Sequence, residues 1–332
     1  MPPDRPPSLR TVADLAGVSV RTVSNVVNDY VHVAASTRAT VQRAIDELGY
    51  RPNLAARQLR GGRTGLLGLV LPELASPYFA ELAALIAGQA AQHGWTVLAD
   101  ETAGDAERER ALLGRTTTNV VDGLVVSPWS LAPDEIVAVA DGLPVVVLGE
   151  RSAADADHVA IDNVAAARDA TAHLLARGRK RLAVIGLQPH LSNDTAAQRA
   201  RGVRKALGRR KPVAEIATTT LHRADGAAAV ASLLASGTDI DGLICFTDEL
   251  ALGAIRQLAD RGVGVPHDVA VVGIDDIEDG RYSVPRLTTV APDKHTIAET
   301  AVRSLLARIE GSPEHRPTDS VVPHRLIVRE SS

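Results

Sequence analysis

The stretch that decides how this chain is read is Thr11-Val-Ala-Asp-Leu-Ala-Gly-Val-Ser-Val-Arg-Thr-Val-Ser-Asn-Val-Val-Asn28. Leu9, Val12, Ala13 and Ala16 recur at helical spacing behind Ser8, a residue type that caps helices by accepting an otherwise unbonded N–H. Gly17 supplies the positive φ of a tight turn, and Ser19 caps a second helix, Val20 to Asn28. In that helix Val23, Val26 and Val27 point inward, which leaves Arg21, Thr22, Ser24 and Asn25 available. A third helix, about Thr37 to Leu48, buries Val41, Ala44, Ile45 and Leu48 and stops at Gly49. The order is helix, tight turn, helix, then a supporting helix.

Charge separates this end from the rest. The first 63 residues hold nine Arg against five Asp and Glu, a net of +4, in a chain of 332 residues with formal charge −4. The remainder therefore carries −8, an asymmetry that points to a nucleic-acid-binding end on an acidic body. Cys245 is the only cysteine, so no internal disulfide and no Cys-based zinc site is expected, as suits a reducing compartment. No stretch approaches the ~20 apolar residues of a membrane span, and residues 1–7 lack the apolar core of a signal peptide. A cytoplasmic protein with no membrane partner is the expectation.

Between the two textures lies Asn53-Leu-Ala-Ala-Arg-Gln-Leu-Arg60, followed by Gly61-Gly62. It is helix-forming but short of the ~12 to 15 residues that hold an isolated helix together in water, so it is expected to fold only on a partner. From Gly65 onward apolar runs alternate with amphipathic helices. The first set is Leu66–Leu71, helix 79–93, Thr96–Ala99, helix 105–118, Gly123–Val126, helix 133–140 and Val145–Leu148. The second is helix 163–177, Arg181–Ile185, helix 196–208, Ala214–Thr220, helix 225–236, Gly242–Phe246, helix 248–261 and Val269–Ile274. Runs apolar on both faces, such as Val145–Leu148, belong to parallel sheets covered by helices. Two doubly wound α/β halves follow, with ligands expected beyond the carboxyl ends of the strands, in a cleft between the halves.

These residues carry a resemblance over nearly the whole chain. Thr11 to Asn28 resembles the helix-turn-helix of the lac repressor family, and Gly49-Tyr-Arg-Pro-Asn53 with Leu59 resembles its hinge helix. The body repeats the match in Gly68-Leu-Val-Leu-Pro72, Pro77-Tyr-Phe79, Asp122-Gly-Leu124, Asp162-Asn163, Arg199 to Gly202 and Phe246-Thr-Asp248. It continues in Val272-Gly-Ile-Asp-Asp276, Pro285-Arg-Leu-Thr-Thr289 and Leu326-Ile-Val-Arg329. The resemblance implies an all-α helix-turn-helix DNA-binding domain over 1–51, a hinge helix and linker over 52–63, and an effector-binding and dimerisation domain over 64–332. The last would be a two-subdomain, periplasmic-binding-protein-like α/β unit, with 64–161 and 291–321 in one subdomain and 162–290 and 322–332 in the other. Such a protein is a homodimeric transcription factor, usually a repressor, that binds a pseudo-palindromic operator in double-stranded DNA under the control of a small effector.

Carried over residue by residue, the family places Val20, Arg21 and Asn25 on base edges. Arg21 has the fork for guanine O6 and N7, Asn25 suits adenine, and Val20 offers an apolar contact to a thymine methyl. Many members carry Arg where Asn25 stands, which implies an altered half-site. Ser8, Ser19, Thr22, Ser24, Asn28, Thr37, Tyr50, Asn53 and Arg57 match the backbone-contacting set, which positions without reading sequence. Ala34 stands where a hydroxyl cap is common. Leu59 matches the residue that wedges between base steps in the minor groove, and Arg57, Arg60 and Arg63 add salt-sensitive attraction.

In the cleft the resemblance assigns Arg199 and Asp275 to charged, multivalent contacts with a polar effector. Pro72, Ser76, Tyr78, Phe79, Ser127, Trp129, Asp162, Leu221 and Thr247 are the accompanying expectations. Trp129 is open between stacking and packing, Asp162 between cap and ligand contact, and Asp248 is read as a helix cap. Leu221 replaces the aromatic floor of many sugar-binding members, so a sugar leads and a nucleoside stays open. The chain shows no phosphate loop, nucleophile elbow or His-Glu-x-x-His pair, and its ten His are scattered. No cofactor, metal or catalytic residue is therefore expected. A solute-binding protein of a transport system would share the cleft, but would have a signal peptide and no helix-turn-helix. The Asn193-Asp-Thr195 sequon is read as incidental.

Overall fold

The computed structural model describes residues 7–27, 30, 32–50, 63–114, 120–189, 191, 194–311 and 315–332. They fall into two compact units, Met1–Thr64 and Gly65–Ser332.

In the first unit α1 (Leu9–Ala16) opens on a reciprocal cap: the Ser8 hydroxyl accepts from the Thr11 N–H at 3.3 Å, and the Thr11 hydroxyl accepts from the Ser8 N–H. Gly17, at φ 65°, ends it. The helix α2 (Val20–Val27) starts where the Ser19 hydroxyl accepts from the Thr22 N–H at 3.1 Å. The supporting helix α3 (Ala35–Leu48) begins two residues earlier than its pattern suggests and has no side-chain cap, because Ala34 sits at the N-cap position. Val12, Ala13, Val23, Val26, Val41, Ala44 and Tyr50 form the core. Three faces at helical spacing thus close on one another, and the polar residues lie on the opposite faces of the helices.

The second unit holds two six-stranded sheets built alike. The first contains β1 (Leu66–Leu71), β2 (Thr96–Glu101), β3 (Gly123–Val126), β4 (Val145–Leu148), β5 (Asp157–Ile161) and β11 (Asp319–Val322), in the order β11-β5-β4-β3-β1-β2. Its pairings are all parallel. The second contains β6 (Leu182–Leu187), β7 (Ala214–Ala217), β8 (Gly242–Cys245), β9 (Ala270–Ile274), β10 (Thr288–Pro292) and β12 (His324–Ile327), in the order β12-β10-β9-β8-β6-β7. Only β12 runs antiparallel to its neighbour. The helices are α4 (Pro77–Gln92), α5 (Ala106–Leu113), α6 (Pro133–Ala140), α7 (Asn163–Ala176), α8 (Thr195–Leu207), α9 (Arg223–Ala235), α10 (Asp248–Asp260), α11 (Glu278–Tyr282) and α12 (Lys294–Glu310).

Apolar clusters cover both faces of each sheet, which is why β1, β3, β4, β8 and β9 read as continuous apolar runs. The chain changes sheet three times: after Ile161, after Pro292 and after Val322. The strands beside those crossings, Asp157-His-Val-Ala-Ile161, Thr288-Thr-Val-Ala-Pro292 and Asp319-Ser-Val-Val322, carry polar residues and escape the apolar-run pattern. Their polar groups are paired in place: Asp157 accepts from Thr318 N–H at 2.9 Å and from His315, while His158 bonds Asp319 at 2.7 Å. Helix α5 ends at Leu113, short of the expected 118, and residues 115–119 lie outside the described set.

Candidate functional site

In a doubly wound sheet the strand order reverses at one point, and the loops leaving the strands there spread apart and leave a crevice. Here the reversals fall between β1 and β3 and between β6 and β8. A cavity lies beyond those four strand ends, lined by Glu73, Ser76, Tyr78, Phe79, Ser127 and Trp129 from the first half and Gln188, Arg199, Leu221, Thr247, Glu249 and Asp275 from the second. Glu150 and Asn163 close it beside the first crossing.

Arg199 is held by the fold before any ligand arrives. A Cβ on Gly202 would stand 2.2 Å from the Val164 carbonyl oxygen, so α8 lies against α7 as closely as backbones allow. That approach brings the Arg199 Nε to 2.7 Å from Asn163 Oδ1, while Nη1 donates to the Phe246 carbonyl. Asn163 in turn donates to Glu150 Oε1 at 2.8 Å. The remaining guanidinium nitrogen, Nη2, stands 3.8 Å from Asp275 Oδ1, an ion-pair distance too long for a direct hydrogen bond. A ligand hydroxyl placed between them would satisfy both.

Asp275 is 6% exposed and sits at φ 130°, a backbone conformation that favours glycine. A residue with a side chain there costs of order 1–3 kcal/mol, and such strain collects at functional sites. Burial pushes its carboxyl up, against the pull of Arg199 and Lys294. Asp248, fully buried, is pushed up by burial and then by the charge of Asp275. Asp276 behaves differently: burial raises it, but Arg329 and Arg281 outweigh that and hold its carboxyl below the usual range.

Several expectations are refined. Asp248 is not a cap: its Oδ1 accepts from the Thr289 hydroxyl at 2.6 Å and its Oδ2 from the Ile277 N–H at 3.0 Å. Room for it exists because a Cβ on Gly273 would stand 2.2 Å from Oδ1. Thr247 caps α10 instead, accepting from the Leu250 N–H at 3.2 Å and donating to the Leu221 carbonyl at 3.1 Å. Asp162 caps α7, accepting from the Ala165 N–H at 2.8 Å, and does not line the cavity. Pro72 is also off the lining; it is buried at the end of β1, its carbonyl accepting from Ala103.

Ser76, Tyr78, Phe79, Ser127, Trp129, Arg199, Leu221, Thr247 and Asp275 do line the cavity together. Trp129 both packs and lines: its ring stands edge-on to Phe79 at 6.2 Å and its Cε3 would touch a Cβ on Gly104 at 3.1 Å. Glu73, Glu150, Asn163, Gln188, Thr195 and Glu249 line it too and were not foreseen. Each follows a strand in sequence, so the rule that ligands sit beyond strand ends, applied residue by residue, is the signal that finds them.

In the helical unit Val20 and Arg21 are exposed, while Thr22, Ser24, Asn25 and Thr37 are half-buried. Ser8 and Ser19 are exposed and already engaged as caps. Tyr50 is 9% exposed and packs in the core of the helical unit. Asn28, Asn53, Arg57, Leu59 and Arg60 lie outside the described residues.

Comparison with known proteins finds a family match within each unit. Residues 8–53 match the family described as bacterial regulatory proteins, lacI family, and residues 171–332 match a periplasmic binding protein-like domain. The ribose operon repressor of Halalkalibacterium halodurans is 31% identical, over 98% of this chain and 97% of its own length. The HTH-type transcriptional repressor PurR of Erwinia tasmaniensis is 32% identical, over 98% of this chain and 96% of its own. The lac repressor dimer bound to operator and the anti-inducer ONPF superposes with a TM-score of 0.85 at 28% identity, covering 98% of this chain and 99% of that one. This chain belongs to the lacI family of bacterial regulatory proteins.

Proposed function

We propose that the protein is a homodimeric transcriptional repressor that reads a pseudo-palindromic operator and changes its affinity for it when a small polar effector, of which a sugar is the first choice, fills the cavity between its α/β halves. The observation that carries this reading is that one chain joins a helical unit presenting Val20 and Arg21 outward to a unit whose cavity takes its walls from both sheets. Arg21 and Asn25 are the specificity contacts, Val20 the apolar one, and Leu59 the minor-groove wedge. Arg199 and Asp275 hold the effector between guanidinium and carboxylate, with Tyr78, Phe79 and Trp129 as the aromatic wall. The protein works in the cytoplasm beside its DNA and catalyses no reaction; its relatives carry the names of regulators. A nucleoside is the second reading, favoured by Leu221 in place of an aromatic floor.

The test is selection of random duplex DNA by the purified protein at moderate salt, with the bound pool sequenced. A palindrome with a flexible pyrimidine–purine step at its centre is expected. No enrichment, with and without a mixture of sugars and nucleosides, would overturn the reading. The selected duplex then reports effectors by fluorescence anisotropy.

A further inference from the structure

The lining contains a buried amide nitrogen with no hydrogen-bond partner among the described residues. It is Nε2 of Gln188, which lies in the loop leaving β6, is 6% exposed and faces the cavity. A buried amide nitrogen without an acceptor is costly, so a fold retains one where something else supplies the acceptor. Several other lining donors are already engaged: Asn163 donates to Glu150, Arg199 Nε and Nη1 to Asn163 and Phe246, and Thr247 to Leu221.

The charge of the lining sets the kind of acceptor. Glu73, Glu150, Glu249 and Asp275 face one guanidinium, that of Arg199. Glu73 is bonded by His222 at 2.7 Å, Glu249 lies 3.6 Å from Arg223, and Asp275 lies 3.8 Å from Arg199. Glu150 has no ion pair within 4 Å among the described residues; it accepts from Asn163 and feels the charge of Arg199 and His158 at longer range. Burial raises the carboxyls of Glu150, Glu249 and Asp275, and the Arg199 guanidinium is already spent in part on Asn163 and the Phe246 carbonyl. A phosphate or carboxylate entering this enclosure therefore finds acidic groups and little cationic charge to pair with, whereas hydroxyl groups can bond the carboxyl oxygens and accept from the amide.

We propose that Gln188 is a further effector contact, donating Nε2 to an oxygen of the ligand, and that with the carboxylate-rich lining it restricts the effector to uncharged hydroxylated compounds and rejects their phosphate esters. This rests on the cavity being the effector site, as proposed above.

The experiment has two arms on the full-length protein. In the first, ligand-free Gln188→Met is melted beside the wild type. Removing an unpaired donor at nearly constant volume is expected to raise the Tm; a lowered Tm would show that the donor already has a partner, and would overturn the proposal. In the second, calorimetry compares ribose with ribose 5-phosphate, glucose with glucose 6-phosphate, and cellobiose. Any sugar that binds is expected to bind at least about tenfold more tightly than its ester and to lose about tenfold or more in Gln188→Met. A phosphate ester binding as tightly as its parent sugar, or Gln188→Met binding the sugar like the wild type, would overturn it. Should no member of the panel bind, the melting arm still decides. Loss of all effector response with any metabolite would count instead against the cavity as the effector site.

Discussion

Arg21 and Asn25 stand four residues apart on α2, and that spacing places them on one face of the helix. The face opposite them is occupied by Val23 and Val26, both buried. Arg21→Ala is therefore expected to leave the helical unit folded and to flatten base preference at one operator position, by about 1–3 kcal/mol. Competition binding against single-position operator variants measures it. The second residue-scale case is Asp248, whose carboxyl is raised by burial and then by the charge of Asp275. An acid raised in the folded state favours folding while protonated; that contribution is present in acid and is lost as pH rises from about 4, the unfolded value, through the folded one. Asp248→Asn removes the charge and is expected to melt at a higher temperature, relative to the wild type, at pH 8 than at pH 5. Equal differences at the two pH values would contradict the burial argument.

At the scale of elements, two local designs have measurable consequences. Helix α3 starts on Ala34, which makes no side-chain cap. Ala34→Ser supplies an acceptor for the free N–H groups of the first turn and is expected to stabilise the helical unit by about 1 kcal/mol in denaturant titration. The loop bearing Trp129 is fastened from α5: buried Glu109 accepts from the Trp129 N–H at 2.9 Å and from the Leu131 N–H at 2.8 Å, with Ser130 between them. Glu109→Ala leaves those backbone groups without their acceptor, at a cost of roughly 1–3 kcal/mol for each group left unpaired. Effector affinity is expected to fall with it, because Trp129 forms part of the cavity wall; Trp129 fluorescence and calorimetry follow the two effects.

At the scale of the molecule, three crossings and a few polar contacts join the α/β halves. Lys294, at the start of α12, bonds Glu81 on α4 and donates to the Asp276 carbonyl at 3.1 Å. At the cavity His222 bonds Glu73 at 2.7 Å, joining the loop after β7 to the loop after β1. His222→Ala is expected to weaken effector binding by no more than about 1 kcal/mol, since the pair is partly solvated. A much larger loss would mean that the contact holds the halves together.

Sequence alone determined the elements that repeat a period. The three helices of the first unit and the apolar strands β1, β3, β4, β8 and β9 each carry their burial pattern within a few residues, and the quoted motifs name the family. What only the tertiary structure decided are features built from residues far apart in the chain. The polar strands β5, β10 and β11 carry side chains whose partners lie far along the chain: Asp157 meets His315 and Thr318, His158 meets Asp319, and Thr289 meets Asp248. Asp248 gave the signature of a helix cap, yet its acceptors are spent on Ile277 and Thr289, brought beside it only when β9 and β10 pair. Arg199 was legible as a motif residue, but the partners that fix it, Asn163 and the Phe246 carbonyl, lie 36 and 47 residues away. Local patterns record which face of an element is buried; they do not record which distant group it meets, and the chemistry of the cavity rests on those meetings.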